Sequence, residues 1–292
     1  MEFFLAGLGN YFTELNFLKE GILEADRLGF DGALIPDHYM WGRREGRHKR
    51  DDDYVTVDSW VMLTYLAAKT EQIRLGTRVT PIPFRPPGML AKMVATLDNL
   101  SNGRVVLGVG AGWSQEEFEA YSKWHEPKIR VDKTIEGLEL MIQLWTQDEV
   151  TFEGQYYRAK AAVLEPKPIQ KPYPALFFGS QGTRMLRLAG RYGNICFIPN
   201  TPTPVDYEER KKVVMRVAEK LNRVDDIGFM IDLRRMLAGT RSRNRYDQKE
   251  YFREVEAAVE MGASYFQATF PRNESFIESI RSFSREIMFS FK

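Results

Sequence analysis

The sequence predicts a (β/α)8 barrel, and three observations carry that prediction. Short apolar runs alternate with segments of helical periodicity, and eight such runs precede a helix, which favours parallel strands with helices outside. The chain has 292 residues, and a barrel of this kind commonly uses about 250 as one domain. No linker divides it: the proline-rich stretch 166–174 sits between two barrel units. An open doubly wound sheet is the alternative; eight units in one chain favour closure.

Each element has its own signal. Residues 2–8 form the first strand, followed by a helix over 14–28 with Thr13 as N-cap and Gly29 just past its end. Residues 32–36 are a short buried strand, 38–53 a polar loop, 57–69 a helix and 73–79 the third strand. A helix over 86–100 carries Leu90, Val94, Leu97 and Leu100, with prolines at its start where they are tolerated. Residues 104–109 are the fourth strand. The clearest helix spans 127–145, where Val131, Ile135, Leu138, Ile142 and Trp145 repeat at steps of 4, 3, 4 and 3. The rhythm then breaks. Residues 150–152 and 156–158, joined through Glu153-Gly154-Gln155, read as a β-hairpin, an insertion around 149–165. Strands at 175–179, 195–198, 227–233 and 265–269 then alternate with helices at 183–192, 207–222 and 249–261. A last helix carries Phe276, Ile280, Phe283 and Ile287.

Composition excludes several function classes. Apolar residues are 43% and charged residues 28%, which permits a large core and argues against disorder. Lys and Arg number 41 against 40 Asp and Glu, a net charge of +1, so neither a nucleic acid nor an anionic membrane is an expected partner. The single cysteine, Cys196, excludes an internal disulfide and a Cys-based zinc cluster and fits a reducing, cytoplasmic setting. Three histidines, His38, His48 and His125, leave little for a His-rich metal site, and none is expected. The first residues show no basic region and no long apolar run, so no signal peptide or membrane span is expected.

Barrel chemistry sits on the loops after the strand C-termini, and this selects the candidate segments. After the second strand come Asp37 and His38; an imidazole there can donate a hydrogen bond or move a proton near neutral pH, with Asp37 to orient it. After the third strand, four prolines within residues 81–87 stiffen a loop suited to walling a flat ring. After the fourth, Gly108-Val109-Gly110-Ala111-Gly112-Trp113 allows close backbone approach and supplies a large flat side chain. It is not a dinucleotide fingerprint, because its sixth position is Trp113 rather than glycine. After the fifth, Gly179-Ser180-Gln181-Gly182-Thr183 at a helix start is a phosphate cradle. The charged run 43–53 reads as a solvated loop or a lid, and Arg241, Arg243 and Arg245 as solvated surface or contacts to an anionic ligand.

Together these segments resemble the bacterial luciferase-like family. The resemblance rests on Ile73-Arg74-Leu75-Gly76-Thr77, Thr80-Pro81, Arg85-Pro86-Pro87, Ala95-Thr96-Leu97-Asp98, Leu100-Ser101-Asn102-Gly103-Arg104 and the glycine run to Trp113. Leu144-Trp145, Phe152-Glu153-Gly154, Tyr156-Tyr157 and Leu188-Ala189-Gly190-Arg191-Tyr192-Gly193 extend it, and it covers roughly residues 1–270. It implies a single (β/α)8 TIM barrel, spanning 1–292 with the hairpin insertion, and a homodimer. It implies a ring cofactor at the barrel mouth: coenzyme F420 in the reading preferred here, flavin mononucleotide (FMN) in the alternative. The activity implied is hydride transfer to or from a small organic substrate. An FMN-dependent monooxygenase is the alternative, and a non-catalytic flavin-binding protein the third reading.

The resemblance also assigns residues. A non-proline cis peptide carries over to Arg78–Val79; Asp37, Arg78, Val79, Gly110 and Ala111 are expected at the cofactor ring, and Gly179, Ser180, Gly182 and Thr183 at its phosphate. His38 is the expected proton donor or ring-orienting residue, with Trp41 and Trp113 against the substrate. Trp113 stands where the deazaflavin-dependent sugar-phosphate dehydrogenases carry a glutamate, and no matching lysine set follows the sixth and seventh strands. Both departures argue against sugar-phosphate oxidation.

Overall fold

The computed structural model describes residues 1–9, 14–40, 56–199, 204–233 and 246–291. Eight parallel strands close on themselves: β1 (Glu2–Leu5), β2 (Gly32–Ile35), β3 (Arg74–Thr77), β5 (Val105–Gly110), β8 (Ala175–Gly179), β9 (Ile195–Phe197), β10 (Gly228–Asp232) and β11 (Tyr265–Ala268). Closure comes from the pairing of the first and last strands and from that of β3 with β5. β1 pairs with β11, Phe3 opposite Phe266, and β3 pairs with β5, Gly76 opposite Val106. A two-residue strand, β4 (Thr80–Pro81), continues beyond β3 and pairs with the far end of β5.

The pleat divides the side chains between two cores. Inward-pointing Phe4, Leu34, Val106, Phe177, Ile195 and Met230 fill the barrel, so it is packed rather than open. Alternate residues such as Phe3, Leu5, Leu107 and Phe178 point outward into the larger core beneath the helices. Burial on both faces explains why β5 reads Val-Val-Leu-Gly-Val-Gly with no polar residue: all six positions are buried. Each fully buried Phe or Leu contributes about 2–3 kcal/mol of apolar transfer free energy.

The helices follow their strands: α1 (Leu15–Arg27), α2 (Ser59–Ala67), α3 (Pro87–Leu100), α4 (Gln115–Tyr121), α5 (Pro127–Thr146), α6 (Thr183–Tyr192), α7 (Pro204–Lys220), α8 (Gln248–Glu260), α9 (Phe276–Phe283) and a short α10 (Phe289–Phe291). Asp58 caps α2 by accepting the Val61 N–H at 2.9 Å, as an aspartate before a helix should. On α9, Phe283 meets Phe3, Phe30, Tyr251 and Phe270 with ring centroids 5.1–5.9 Å apart, tying the last helix to the first strand. No helix of the described residues is long and apolar enough to cross a membrane. Cys196 points from β9 into the outer core, where burial pushes its thiol up to about 12.

Two expectations change. Helix α4 was not foreseen; it lies between the glycine run and α5. The hairpin exists, but its second strand is β7 (Arg158–Ala162) rather than 156–158, opposite β6 (Val150–Glu153). The cause is Glu136 on α5, whose carboxylate accepts the backbone N–H groups of Gln155, Tyr156 and Tyr157 at 2.9, 2.7 and 2.6 Å. Those amides are taken, so ladder pairing moves outward along the chain. The expected N-cap, Thr13, lies outside the described residues.

Glu136→Ala strips one acceptor from three amides and should destabilise the hairpin by about 1–3 kcal/mol. Hydrogen exchange should rise selectively at residues 155–157, with little change in the barrel strands; unchanged exchange there would count against this anchor.

Candidate active site

A cleft of about 730 Å³ opens at the C-terminal ends of the barrel strands, where the fold places binding sites. His38, three residues beyond β2, lies on one wall. Its Nδ1 is 2.9 Å from Oε2 of Glu117 on α4, whose side chain is 4% exposed. The other carboxylate oxygen accepts the backbone N–H of Tyr39 at 2.5 Å and, more weakly, that of Met40 at 3.4 Å. Gly112 makes the turn that starts this arrangement: its φ of +80° is a region open to glycine, and a Cβ there would lie 2.4 Å from the Phe118 ring. The chain then presents Trp113 at the lip of the cleft, 56% exposed, its ring 5.7 Å from His38 and edge-on.

Asp37 departs from expectation. It does not line the cleft. Its carboxylate turns into a buried node, accepting Arg85 Nη1 and Nη2 at 2.7 and 2.8 Å, Thr80 Oγ1 at 2.7 Å and Trp60 Nε1 at 3.2 Å. Arg85 also faces Asp58 at 3.6 Å. The side chain gripping His38 is therefore Glu117, and Asp37 fixes the backbone on which His38 rides.

The floor of the cleft is apolar. The Arg78–Val79 peptide is cis, as the resemblance implied, and it separates β3 from β4. Val79 packs between two strands, and only glycine fits opposite it: a Cβ on Gly110 would lie 2.3 Å from Val79 Cγ2. Ala111 and Arg78 complete this wall, the Arg78 guanidinium lying 4.5 Å from the centroid of the Phe197 ring.

At the other end Gly179, Ser180 and Gly182 form the cleft wall where β8 turns into α6. Gly182 is the N-cap, and having no side chain it makes no cap hydrogen bond to the helix. The first N–H groups of α6 and the positive end of its dipole thus meet the cleft, a setting that favours an anion. Thr183, the first helical residue, is exposed and does not line the cleft. Arg130 of α5 does line it; its Nε donates to the Gly112 carbonyl at 3.3 Å and its guanidinium lies 3.8 Å from the Trp124 ring centroid. Burial lowers the Arg130 pKa.

Of the expected residues, His38, Arg78, Val79, Gly110, Ala111, Trp113, Gly179, Ser180 and Gly182 meet in one cleft; Asp37 and Thr183 stand outside it. Trp41, the run 43–53 and Arg241, Arg243 and Arg245 lie outside the described residues. Sequence reasoning missed Glu117 and Arg130. The signal for Glu117 was its place four residues after Trp113, one helical turn beyond the glycine turn.

The chain is a closed barrel with a hairpin insertion and a cleft at the strand ends, His38 at one side of the cleft and the start of α6 at the other. Residues 4–285 match the family described as luciferase-like monooxygenase, and the chain belongs to this bacterial luciferase-like family. It is 32% identical over 235 residues, 80% of this chain and 67% of the relative, to an F420-dependent glucose-6-phosphate dehydrogenase of Nakamurella multipartita. The chain spans between about half and two thirds of the length of the curated relatives it matches. Two solved structures share the fold at a TM-score of 0.80. One is a monooxygenase of Streptomyces bottropensis, at 17% identity over 100% of both chains. The other is an F420-dependent secondary alcohol dehydrogenase in complex with an F420-acetone adduct, at 21% identity over 98% of both chains.

Asp37→Asn leaves Arg85 buried beside a neutral amide and should cost about 3 kcal/mol, the lower end for a broken buried pair because Asp58 stays close. Urea denaturation measures it. A loss below about 1 kcal/mol, within the range of an exposed pair, would reject the node as a structural anchor.

Proposed function

We propose that this chain is an oxidoreductase passing a hydride between coenzyme F420 and a small organic substrate. The observation that carries the reading is one cleft holding His38 at one side and the open start of α6 at the other. The residues fit such a coenzyme. Gly110 and Gly179 leave Val79 as a flat apolar wall, and the uncapped amides of α6 offer donors to a phosphate. Arg78, Val79, Gly110 and Ala111 would hold the ring; Gly179, Ser180 and Gly182 would hold the phosphate, with Thr183 contributing the first backbone amide of α6 rather than its side chain.

When bound, a deazaflavin supplies two-electron hydride chemistry and reacts poorly with oxygen. The chain supplies the rest. The imidazole of His38 exchanges a proton with the substrate on the ring edge away from Glu117. Trp113, at the lip of the cleft, gives the substrate an apolar face to stack on. The Nakamurella relative is named for glucose 6-phosphate, but Trp113 provides no carboxyl group after the third glycine of the turn. An imine, alkene or alcohol suits this wall better than a sugar phosphate.

An FMN-dependent monooxygenase is the second reading, favoured by the fold shared with the Streptomyces monooxygenase. The proposal extends to residues 1–292 acting as one domain and to a homodimer through α2 and α3. Val61, Tyr65 and Met89 on those helices are 70%, 45% and 67% exposed. It places the protein in the cytoplasm, which suits its one free, buried cysteine.

Titration of purified protein with F420 and with FMN, followed by ring fluorescence, should show tight binding of F420 alone. Tight FMN binding with no F420 binding would replace the first reading by the second. His38→Ala should lower kcat by about 100-fold or more while coenzyme binding persists. A variant with the full hydride-transfer rate would remove His38 from the chemistry.

A further inference from the structure

Glu117 is buried, and its two oxygens do different work. Oε1 holds the Tyr39 amide, with Met40 behind it, and Oε2 meets the Nδ1 of His38 at 2.9 Å. The grip is rigid because α4 clamps this segment twice. Tyr39 stacks between Phe84, 4.9 Å away, and Tyr121 of α4, 5.4 Å away, while Phe118 of α4 packs edge-on against Phe84 at 4.9 Å.

A carboxylate whose oxygens face N–H donors can only accept. The hydrogen on that edge of His38 must therefore sit on Nδ1. Which nitrogen of an imidazole carries the proton is set by the hydrogen bond that the other makes. We propose that Glu117 is a positioning residue that locks neutral His38 in the Nδ1–H tautomer and leaves Nε2 as the basic nitrogen of the cleft. A proton leaving the substrate lands on Nε2, and in the reverse direction it returns from there. The resulting imidazolium keeps its Nδ1–H on Glu117, so the new positive charge forms beside a fixed negative one. The tautomer assignment stands on geometry alone; its effect on rate rests on the role given to His38 above.

Glu117→Gln tests this without changing side-chain shape. The Tyr39 amide still needs an acceptor, so the glutamine oxygen stays on the backbone and its NH2 falls on His38. Nδ1 must then accept, and the neutral ring carries its hydrogen on Nε2, where it can take no second proton. In ¹⁵N-labelled protein, long-range proton–nitrogen correlation at a pH where the ring is neutral should show Nδ1–H in the native protein and Nε2–H in the variant. The His38→Ala spectrum identifies the signals. Turnover in the variant should fall about 100-fold with KM and coenzyme Kd changed less than about 3-fold, a loss confined to the chemical step. An Nε2–H tautomer in the native protein overturns the proposal whether or not the variant folds, and so does a tautomer unchanged in the variant. Inversion with kcat unaltered leaves the tautomer assignment standing and overturns the catalytic role of His38 instead.

Discussion

The barrel mouth takes its geometry from one buried ion pair. Asp37 and Arg85 meet through two hydrogen bonds, and Thr80 and Trp60 supply two more to the same carboxylate. Burying two charges is costly unless such a set is complete, because each lone pair left bare forfeits its hydration. Here completeness is also a constraint on the chain. The end of β2, the β4 segment and the start of α2 must come to the same point. Ser59 adds a further tie by donating to the Pro36 carbonyl at 2.7 Å. Asp58 caps α2 and faces Arg85 at once, so helix position and loop position are set together.

From that fixed point the site is assembled by opposition. The Asp37 node holds the strand-end backbone from the helix layer, and Glu117 holds the next residue from the side of α4. His38 stands between two anchors on separate parts of the chain, which is how a short loop acquires the precision of a rigid element. The apolar floor needs no such anchors. Val79 is located by packing against strands that leave it room only by lacking side chains at Gly110 and Gly179.

Much of this was legible in the sequence, for definite reasons. A barrel strand is buried on both faces, so runs such as residues 105–110 stand out from amphipathic neighbours like α5. The glycine and small-residue turns announced where backbone would line the cleft. What escaped depended on partners distant in sequence. Asp37 and His38 are adjacent, which invited pairing them, but neighbours at a strand end point to opposite sides: one enters the helix layer and the other the mouth. Helix α4 is seven residues long, too short for periodicity to reveal, and Glu117 passes for a surface acid until Tyr39 and His38 are seen to face it. The offset of β7 came from Glu136, a carboxylate about twenty residues upstream that no local turn rule includes.

The pairing of β1 with β11 has a meaning for how the molecule comes into being. The first strand finds its second neighbour only in residues 265–268, so synthesis leaves one edge of β1 bare until those residues have left the ribosome. Contacts of such separation slow folding, and an open edge invites pairing with other chains. The nascent protein must therefore shelter that edge until β11 emerges. A chain stopped short of Tyr265 would leave one edge of β1 and one edge of β10 without a partner strand.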